Sequence, residues 1–558
     1  MKKLPIGRSD FKEIINGNYY YVDKSLFIKE IIEDGSKVLL IPRPRRFGKT
    51  LNMSMLRCFY EKTEENHSCL FKNLKINQHK EIMDMQGKYP VIYITFKDIK
   101  YADWEGCFEA LKYLIKEEYS RHKYLLQGNA LEEYEKEEFI RVLKDEAKDV
   151  VYLQGLKILS KYLYRYHQQK VVILIDEYDV LIQTGYMKGY YDKIIDFMRI
   201  FLSGGLKDNH YLQKGVLIGI LRVAKESIFS GLNNLEVCTI LKNHYSERFG
   251  FLEEEIEEIL KYYQIEFEIE KIKKWYNGYI FGRTTVYNPW SILNYIRNFE
   301  IGLRPYWVNT SSNDLVRKVL AKGGQTVKIE LEDLIKGKDI VKPINEDIVM
   351  KDVNKDSENV WSFLLFSGYL KVVHEEFKRG KTYCYLRIPN LEVKYLYEEI
   401  ILSWFSESVN TEKFDFMLKS LVSGDIKTFG KILKEFVLSS VSYFDTGGNE
   451  SEKVYHAFVL GMLIALWEDY EVKSNRESGY GRYDVALIPK DQNKIGIIIE
   501  FKKVDHDDQE TLELAAKNAL KQIQDKEYKK ELEDRGVKEI IELGIAFEGK
   551  NVLVMKRQ

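Results

Sequence analysis

Two stretches of this chain place chemically capable side chains at the ends of apolar runs. Gly481-Arg482-Tyr483-Asp484 leads into the apolar run Val485-Ala486-Leu487-Ile488, and Ile497-Ile498-Ile499 is followed by Glu500-Phe501-Lys502. Runs of this length predict two neighbouring buried strands, with Asp484 closing a Gly-rich turn. Residues two apart on a strand share a face, so Glu500 and Lys502 point the same way. Two carboxylates and an ammonium then converge. Carboxylate oxygens are the hard ligands that Mg²⁺ prefers, and a neighbouring ammonium can orient a water and balance charge on a phosphodiester.

Near the other end, the apolar run Val38-Leu39-Leu40-Ile41 is followed by Pro42-Arg43-Pro44-Arg45-Arg46-Phe47-Gly48-Lys49-Thr50 and a helical pattern from Leu51 to Tyr60. Strand, loop and helix in that order are the context of a phosphate-binding loop. Arg45, Arg46, Phe47 and Gly48 form the approach, Lys49 reaches the β- and γ-phosphates, and Thr50 ligates Mg²⁺, with the helix N-terminus adding partial positive charge. The usual first glycine is replaced by Arg43. The fully apolar run Val171–Ile175 reads as a central parallel strand. It ends in Asp176, a Mg²⁺ ligand through water, and Glu177, the base that polarises the attacking water. Without the upstream loop, the same residues would read as a core strand and a solvated acidic turn.

The loop form RPRRFGKT, the acidic strand and the C-terminal acid–Lys pattern together resemble a bacterial AAA-ATPase-like family whose members end in a PD-(D/E)XK nuclease superfamily domain. The resemblance covers nearly the whole chain. It implies an α/β multidomain fold: a P-loop parallel sheet, a helical, winged-helix-like lid with a connector, and a C-terminal nuclease-like α/β domain. The expected divisions are an AAA-ATPase-like domain over 1–245, the lid over 246–345, a helical connector over 346–440 and the nuclease-like domain over 441–558. The resemblance implies ATP and Mg²⁺ as cofactors, with Mn²⁺ also suited to the nuclease site. It implies Asp484, Glu500 and Lys502 as nuclease site residues, and adds a carboxylate from the domain's first helix, matched by Glu452. Glu452 shares a helix face with His456 in the expected helix Glu450–Tyr470, where an exposed first-turn glutamate is the plain alternative. Glu477 precedes the catalytic turn and is a second-rank candidate. A glutamine from the helix Leu512–Tyr528 is a further one; spacing leaves Gln522 and Gln524 both open. In AAA-type enzymes the strand at Gly215–Arg222 carries a γ-phosphate sensor, for which Arg222, Lys225 and Ser230 are candidates beside an ordinary strand exit.

The elements that must position these groups follow from the same pattern. Strands are expected at Tyr89–Phe96 and Val537–Phe547, and helices at Leu26–Glu33 (capped by Asp23 or Ser25), Trp104–Arg121, Gly155–Tyr166, Trp361–Val373 and Leu391–Phe405. Trp275-Tyr276-Asn277-Gly278 and Asn288-Pro289-Trp290-Ser291 are aromatic turns that either stack on bases or pack a small domain.

With 558 residues, several domains are expected. The net charge of −1, from 85 basic and 86 acidic residues, confines any nucleic-acid surface to a local patch. Five scattered cysteines without paired spacing argue against structural zinc and for a reducing compartment. The N-terminal stretch carries no signal-peptide pattern, and no apolar run suits a bilayer, so a cytoplasmic protein without a membrane partner is expected. The leading reading is an ATP-hydrolysing protein coupled to a Mg²⁺-dependent nuclease acting on nucleic acid, DNA ahead of RNA, with homo-oligomerisation open. The alternative is an ATP-dependent switch or scaffold whose C-terminal domain binds nucleic acid or protein without cutting. A metabolic P-loop kinase has only the loop in its favour.

Overall fold

The computed structural model describes residues 1–221, 234–307, 314–322, 325–335, 337–347, 357–406, 411–439, 459, 462–463, 466, 469–478, 481–504 and 510–557. Contacts divide the chain into two units, Met1–Val319 with Val341–Val393, and Leu320–Ile340 with Lys394–Gln558.

The first unit is organised by five strands: β1 Val38–Pro42, β2 Val91–Thr95, β3 Val171–Asp176, β4 Leu212–Gly219 and β5 Leu235–Val237. Every residue of β1 and β3 is buried. Continuous apolar runs are what a parallel sheet covered on both faces requires. The order is β2-β3-β4-β1-β5 with all pairs parallel. The phosphate-loop strand β1 and the acidic strand β3 are therefore separated by β4, and all deliver their C-terminal ends to one edge, where α/β sheets bind ligands. Helices Trp104–Arg121 and Gly155–His167 match expectation closely. Helix Leu26–Glu33 forms, but Ser25 makes no side-chain cap. Asp23 instead accepts from the Ser25 and Lys75 amides (2.8 and 2.6 Å), and the Ser25 hydroxyl accepts from Ile76 N (3.1 Å). Both side chains fasten the helix entrance to a distant loop.

Beyond the sheet come helices Glu253–Tyr262 and Ile269–Tyr276, the hairpin β6 Tyr279–Phe281 and β7 Thr284–Val286, and helix Pro289–Arg297. The aromatic turns pack this region. Tyr276 is fully buried and its hydroxyl donates to Arg304 O (2.9 Å), while Asn288 caps the following helix through Trp290 N (2.9 Å). The expected helix Trp361–Val373 is instead Ser357–Phe366 followed by strand β9 Lys371–Lys378. Gly368, at φ +87°, breaks the helix in a conformation other residues resist. With β8 Ile340–Pro343 and β10 Lys381–Arg387, β9 forms a sheet of order β8-β10-β9, so this part of the connector is not purely helical.

The second unit contains β11 Tyr470–Ser478, β12 Gly481–Pro489, β13 Gly496–Lys503, β14 Ile540–Glu548 and β15 Asn551–Lys556, in sequential order in one mixed sheet. Only β13 and β14 are parallel. The expected helix Glu450–Tyr470 ends early, because Tyr470 opens β11; most of the remainder lies outside the described residues. Helix Leu512–Asp525 covers the sheet face toward which Gly544 points, and the turn at Gly424 meets Ile541 on the other. Alternation along β14 makes these opposite faces. Among the described residues no helix is long and apolar enough to cross a membrane.

Candidate functional site

In the first unit the chain leaves β1 through a loop whose conformation is set by two left-handed residues, Arg46 (φ +68°) and Gly48 (φ +78°). Gly48 caps helix Lys49–Tyr60, and a methyl group built on it would touch nothing within 4 Å. Glycine is needed there for backbone freedom, and the space before it is open. That space belongs to a cavity of about 720 Å³ lined by Arg45, Arg46, Gly48, Lys49, Thr50 and Glu177, among others. The helix N-terminus opens onto it, a geometry that favours an anion.

Phe47 is fully buried against Tyr279 and Phe281 and anchors the loop. Lys49 is nearly buried, its ammonium donating to Pro44 O (2.8 Å). Burial lowers its pKa, opposed by the charges of Glu177, Asp179 and Asp176. Asp176, at the end of β3, is fully buried, and among the described residues no well-formed hydrogen bond reaches either carboxylate oxygen, although the Thr50 hydroxyl and the Glu177 amide lie close enough to favour its charge. Burial, reinforced by the adjacent Glu177 charge, raises its pKa to about 6, with the Thr50 hydroxyl opposing. A buried carboxylate without well-formed hydrogen bonds costs free energy unless something completes it. Two such oxygens beside a threonine hydroxyl suit a hydrated Mg²⁺. Glu177 follows in a left-handed conformation (φ +51°), which turns the chain sharply beside the cavity it lines.

The three loop arginines have separate fates. The Arg46 guanidinium lies 4.3 Å from the Trp290 ring centroid, a cation–π contact. Arg45 donates to Gln183 Oε1 (3.2 Å). Arg43 stands where the usual first glycine would be. It is fully buried and donates to the carbonyls of Pro42, Cys238 and His244 (2.8, 2.7 and 3.0 Å). Burial lowers its pKa to about 10. It is a strut joining the loop to the segment after β5. Arg43→Ala is expected to leave buried carbonyls unpaired and to destabilise the fold by about 3 kcal/mol or more, read as a lowered denaturation midpoint without nucleotide.

Trp290, whose indole lines the cavity, starts a helix held from below. Ser291 Oγ donates to Glu392 Oε2 (2.7 Å), and Trp307 N donates to Glu392 Oε1 (2.6 Å). Glu392 is fully buried, and burial raises its pKa from 4.5 to about 8. An acid with a raised folded pKa binds more protons folded than unfolded, so its contribution to stability falls as pH rises from 4.5 through 8. Glu392→Gln is therefore expected to flatten that decline, measured as denaturation midpoints of both proteins across this range.

In the second unit, β12 and β13 pair antiparallel with Val485 opposite Ile499, which sets Asp484 opposite Glu500 one step further. Asp484 lies inside β12, which begins at Gly481, instead of closing a turn. Its amide donates to Glu500 Oε2 (3.2 Å), and Phe501 N donates to Asp484 Oδ2 (2.8 Å). Glu500 is nearly buried, while Asp484 and Lys502 are half-buried. Gln522 donates to Glu500 Oε1 and to the Tyr528 hydroxyl (3.3 Å for the latter). Gln524 is exposed. The inward glutamine is thus Gln522. Among the described residues no group of three His, Cys, Asp or Glu side chains gathers around one point. The two carboxylates form an oxygen set suited to a hard cation that keeps several waters.

Glu500 pairs with Gly544 of β14. A methyl group on Gly544 would come within 2.3 Å of Ala516 O in the covering helix. Gly544→Ala is expected to push that helix outward, carrying Gln522 off Glu500 and destabilising the unit by about 1–3 kcal/mol. Thermal denaturation and loss of metal affinity measure it.

Glu452, Arg222, Lys225 and Ser230 lie outside the described residues. Glu477 is placed in β11 opposite Arg482. Sequence reasoning missed Asp179 and Gln183, which line the same cavity. Their spacing of four within a helix was the available signal.

This arrangement defines an α/β protein with two candidate phosphate-chemistry sites. Residues 5–229 match the family model described as predicted AAA-ATPase, and residues 450–557 match that of the PD-(D/E)XK nuclease superfamily. The two matched segments are thus similar to the two parts of the architecture expected from the sequence. It is also similar to an uncharacterized protein in the vnfD 5′ region of Azotobacter chroococcum mcd 1, at 26% identity over 562 residues, covering 98% of this chain and 96% of the relative.

Proposed function

We propose that the chain binds and hydrolyses ATP at the first site and cleaves nucleic-acid phosphodiesters with Mg²⁺ at the second. The observation that carries the reading is Asp176, a fully buried carboxylate that takes no well-formed hydrogen bond among the described residues and lies beside Thr50 and Lys49. A core strand ending in a solvated turn would not bury that group. On this reading Lys49 leaves Pro44 O for the β- and γ-phosphates, Thr50 and Asp176 hold Mg²⁺, and Glu177 orients the attacking water. Arg45, Arg46, Phe47 and Gly48 shape the bed for the nucleotide.

In the second unit Asp484 and Glu500 hold Mg²⁺ or Mn²⁺, and Lys502, on the same strand face as Glu500, orients the nucleophile. The bound cation supplies charge stabilisation on the phosphodiester. Gln522 fixes the Glu500 carboxylate. DNA is the favoured substrate over RNA. The cytoplasm is the favoured compartment, since none of the five cysteines is paired. Incubating the purified protein with DNA or RNA, Mg²⁺ or Mn²⁺, and ATP tests the proposal. Release of phosphate and shortened nucleic acid are expected. ATP turnover without any cutting would leave the switch reading in its place.

A further inference from the structure

The helix Asp179–Lys188 that follows the acidic strand carries two polar side chains on one face, Asp179 and Gln183, four residues apart. Asp179 is fully buried. Its Oδ2 accepts from Ile220 N (3.0 Å), Leu221 N (3.2 Å) and Gln183 Nε2 (2.8 Å). The Gln183 amide is thereby oriented, its nitrogen toward Asp179 and its oxygen accepting from Arg45 Nη2 (3.2 Å). Gly219, the last residue of β4, makes room: a methyl group there would stand 2.5 Å from Asp179 Oδ1. Tyr178 closes the same corner by donating from its hydroxyl to Leu221 O.

A continuous hydrogen-bonded chain therefore runs from the backbone at the exit of β4, through two nearly buried side chains, to a guanidinium lining the cavity. Fixing an arginine costs rotamer entropy, and here that ordering precedes ligand binding. Arg45 and Lys49 both line the cavity onto which the helix N-terminus opens, the end that favours an anion. A rigid guanidinium at that end discriminates by charge. A triphosphate carries one phosphate more than a diphosphate, and that γ-phosphate is the anion such a guanidinium would meet.

We propose that Asp179 and Gln183 are positioning residues that hold Arg45 to read the terminal phosphate, so that one chain distinguishes triphosphate from diphosphate with its own arginine. This rests on the nucleotide reading above and adds to it an in-cis reader and its two supports.

The test is calorimetric titration of the full chain, with Mg²⁺, using ADP and the β,γ-imido analogue of ATP. The proteins are wild type, Arg45→Ala, Gln183→Ala and the double variant. Wild type is expected to prefer the triphosphate analogue. Gln183→Ala should cut that preference about tenfold while leaving ADP affinity unchanged, a split that general unfolding would not produce. Arg45→Ala should cut it at least as far, and the double variant no further than Arg45→Ala, because the two side chains act as one unit. An unchanged preference in Gln183→Ala, equal losses for both nucleotides, or additive losses in the double variant would overturn the positioning role. Wild type binding both ligands equally would overturn it as well, with nucleotide binding intact. Wild type binding neither would remove the nucleotide reading itself.

Discussion

Lys49→Ala is expected to abolish nucleotide hydrolysis and to weaken nucleotide binding by about ten- to a hundredfold, the scale of a lost charge-assisted hydrogen bond in a buried site. Lys49 sits at the first turn of its helix, nearly buried, with its ammonium donating to the Pro44 carbonyl. That contact is replaceable by phosphate oxygens, which offer more charge at the same distance. Glu177→Gln is expected to behave differently. It leaves the loop, Thr50 and Asp176 intact and removes only the group that polarises water, so affinity should survive and turnover should fall by about two orders of magnitude or more. Phosphate release and equilibrium titration on both variants separate these roles. Equal loss of binding in the two would mean that Glu177 supports the cavity and not the chemistry.

The second large effect concerns the other unit. Asp484→Ala, Glu500→Ala and Lys502→Ala are each expected to lower metal-dependent cleavage by about three orders of magnitude or more while leaving ATP hydrolysis largely intact. Asp484 and Glu500 stand opposite one another on adjacent strands, each tied to the other strand's backbone by a hydrogen bond. Removing either carboxylate takes away half of the oxygen set. Lys502→Ala should keep cation binding, readable by calorimetry with Mn²⁺, and lose cutting. ATP turnover should persist because the nucleotide cavity is built entirely from the other unit. Wild-type cutting by the two acid variants would assign the cleavage to some other group.

Much of this was legible in the sequence because both sites stand at the ends of buried strands. Val171–Ile175 and Ile497–Ile499 are apolar enough to fix their strands, and a strand fixes which neighbours share a face. What escaped is what depends on distant partners. The sequence shows Arg43 inside a basic loop; it does not show carbonyls 195 and 201 positions further on that turn it into a strut. Gln522 and Gln524 differ by two positions on a helix, about 200° of rotation. Only the sheet beneath, with Gly544 drawing the helix close, decides between them. The expected helix Trp361–Val373 overruns into β9 because Tyr369-Leu370 continues the mostly apolar run Trp361–Phe366 past Gly368, whose left-handed backbone marks the break.

The place of β4 in the first sheet bears on how the molecule is made. Lys49 and Asp176 are far apart in sequence, and the strands that present them do not pair with each other; β4 stands between. A nascent chain that has reached residue 176 therefore holds both halves of the nucleotide site with no means of joining them. Closure waits for Leu212–Gly219 to emerge from the ribosome and slide into the gap. Parallel pairing of such distant segments is inherently slow. Until that strand arrives, the backbone N–H and C=O groups along the facing edges of β1 and β3 lack their native partner and are open to wrong ones.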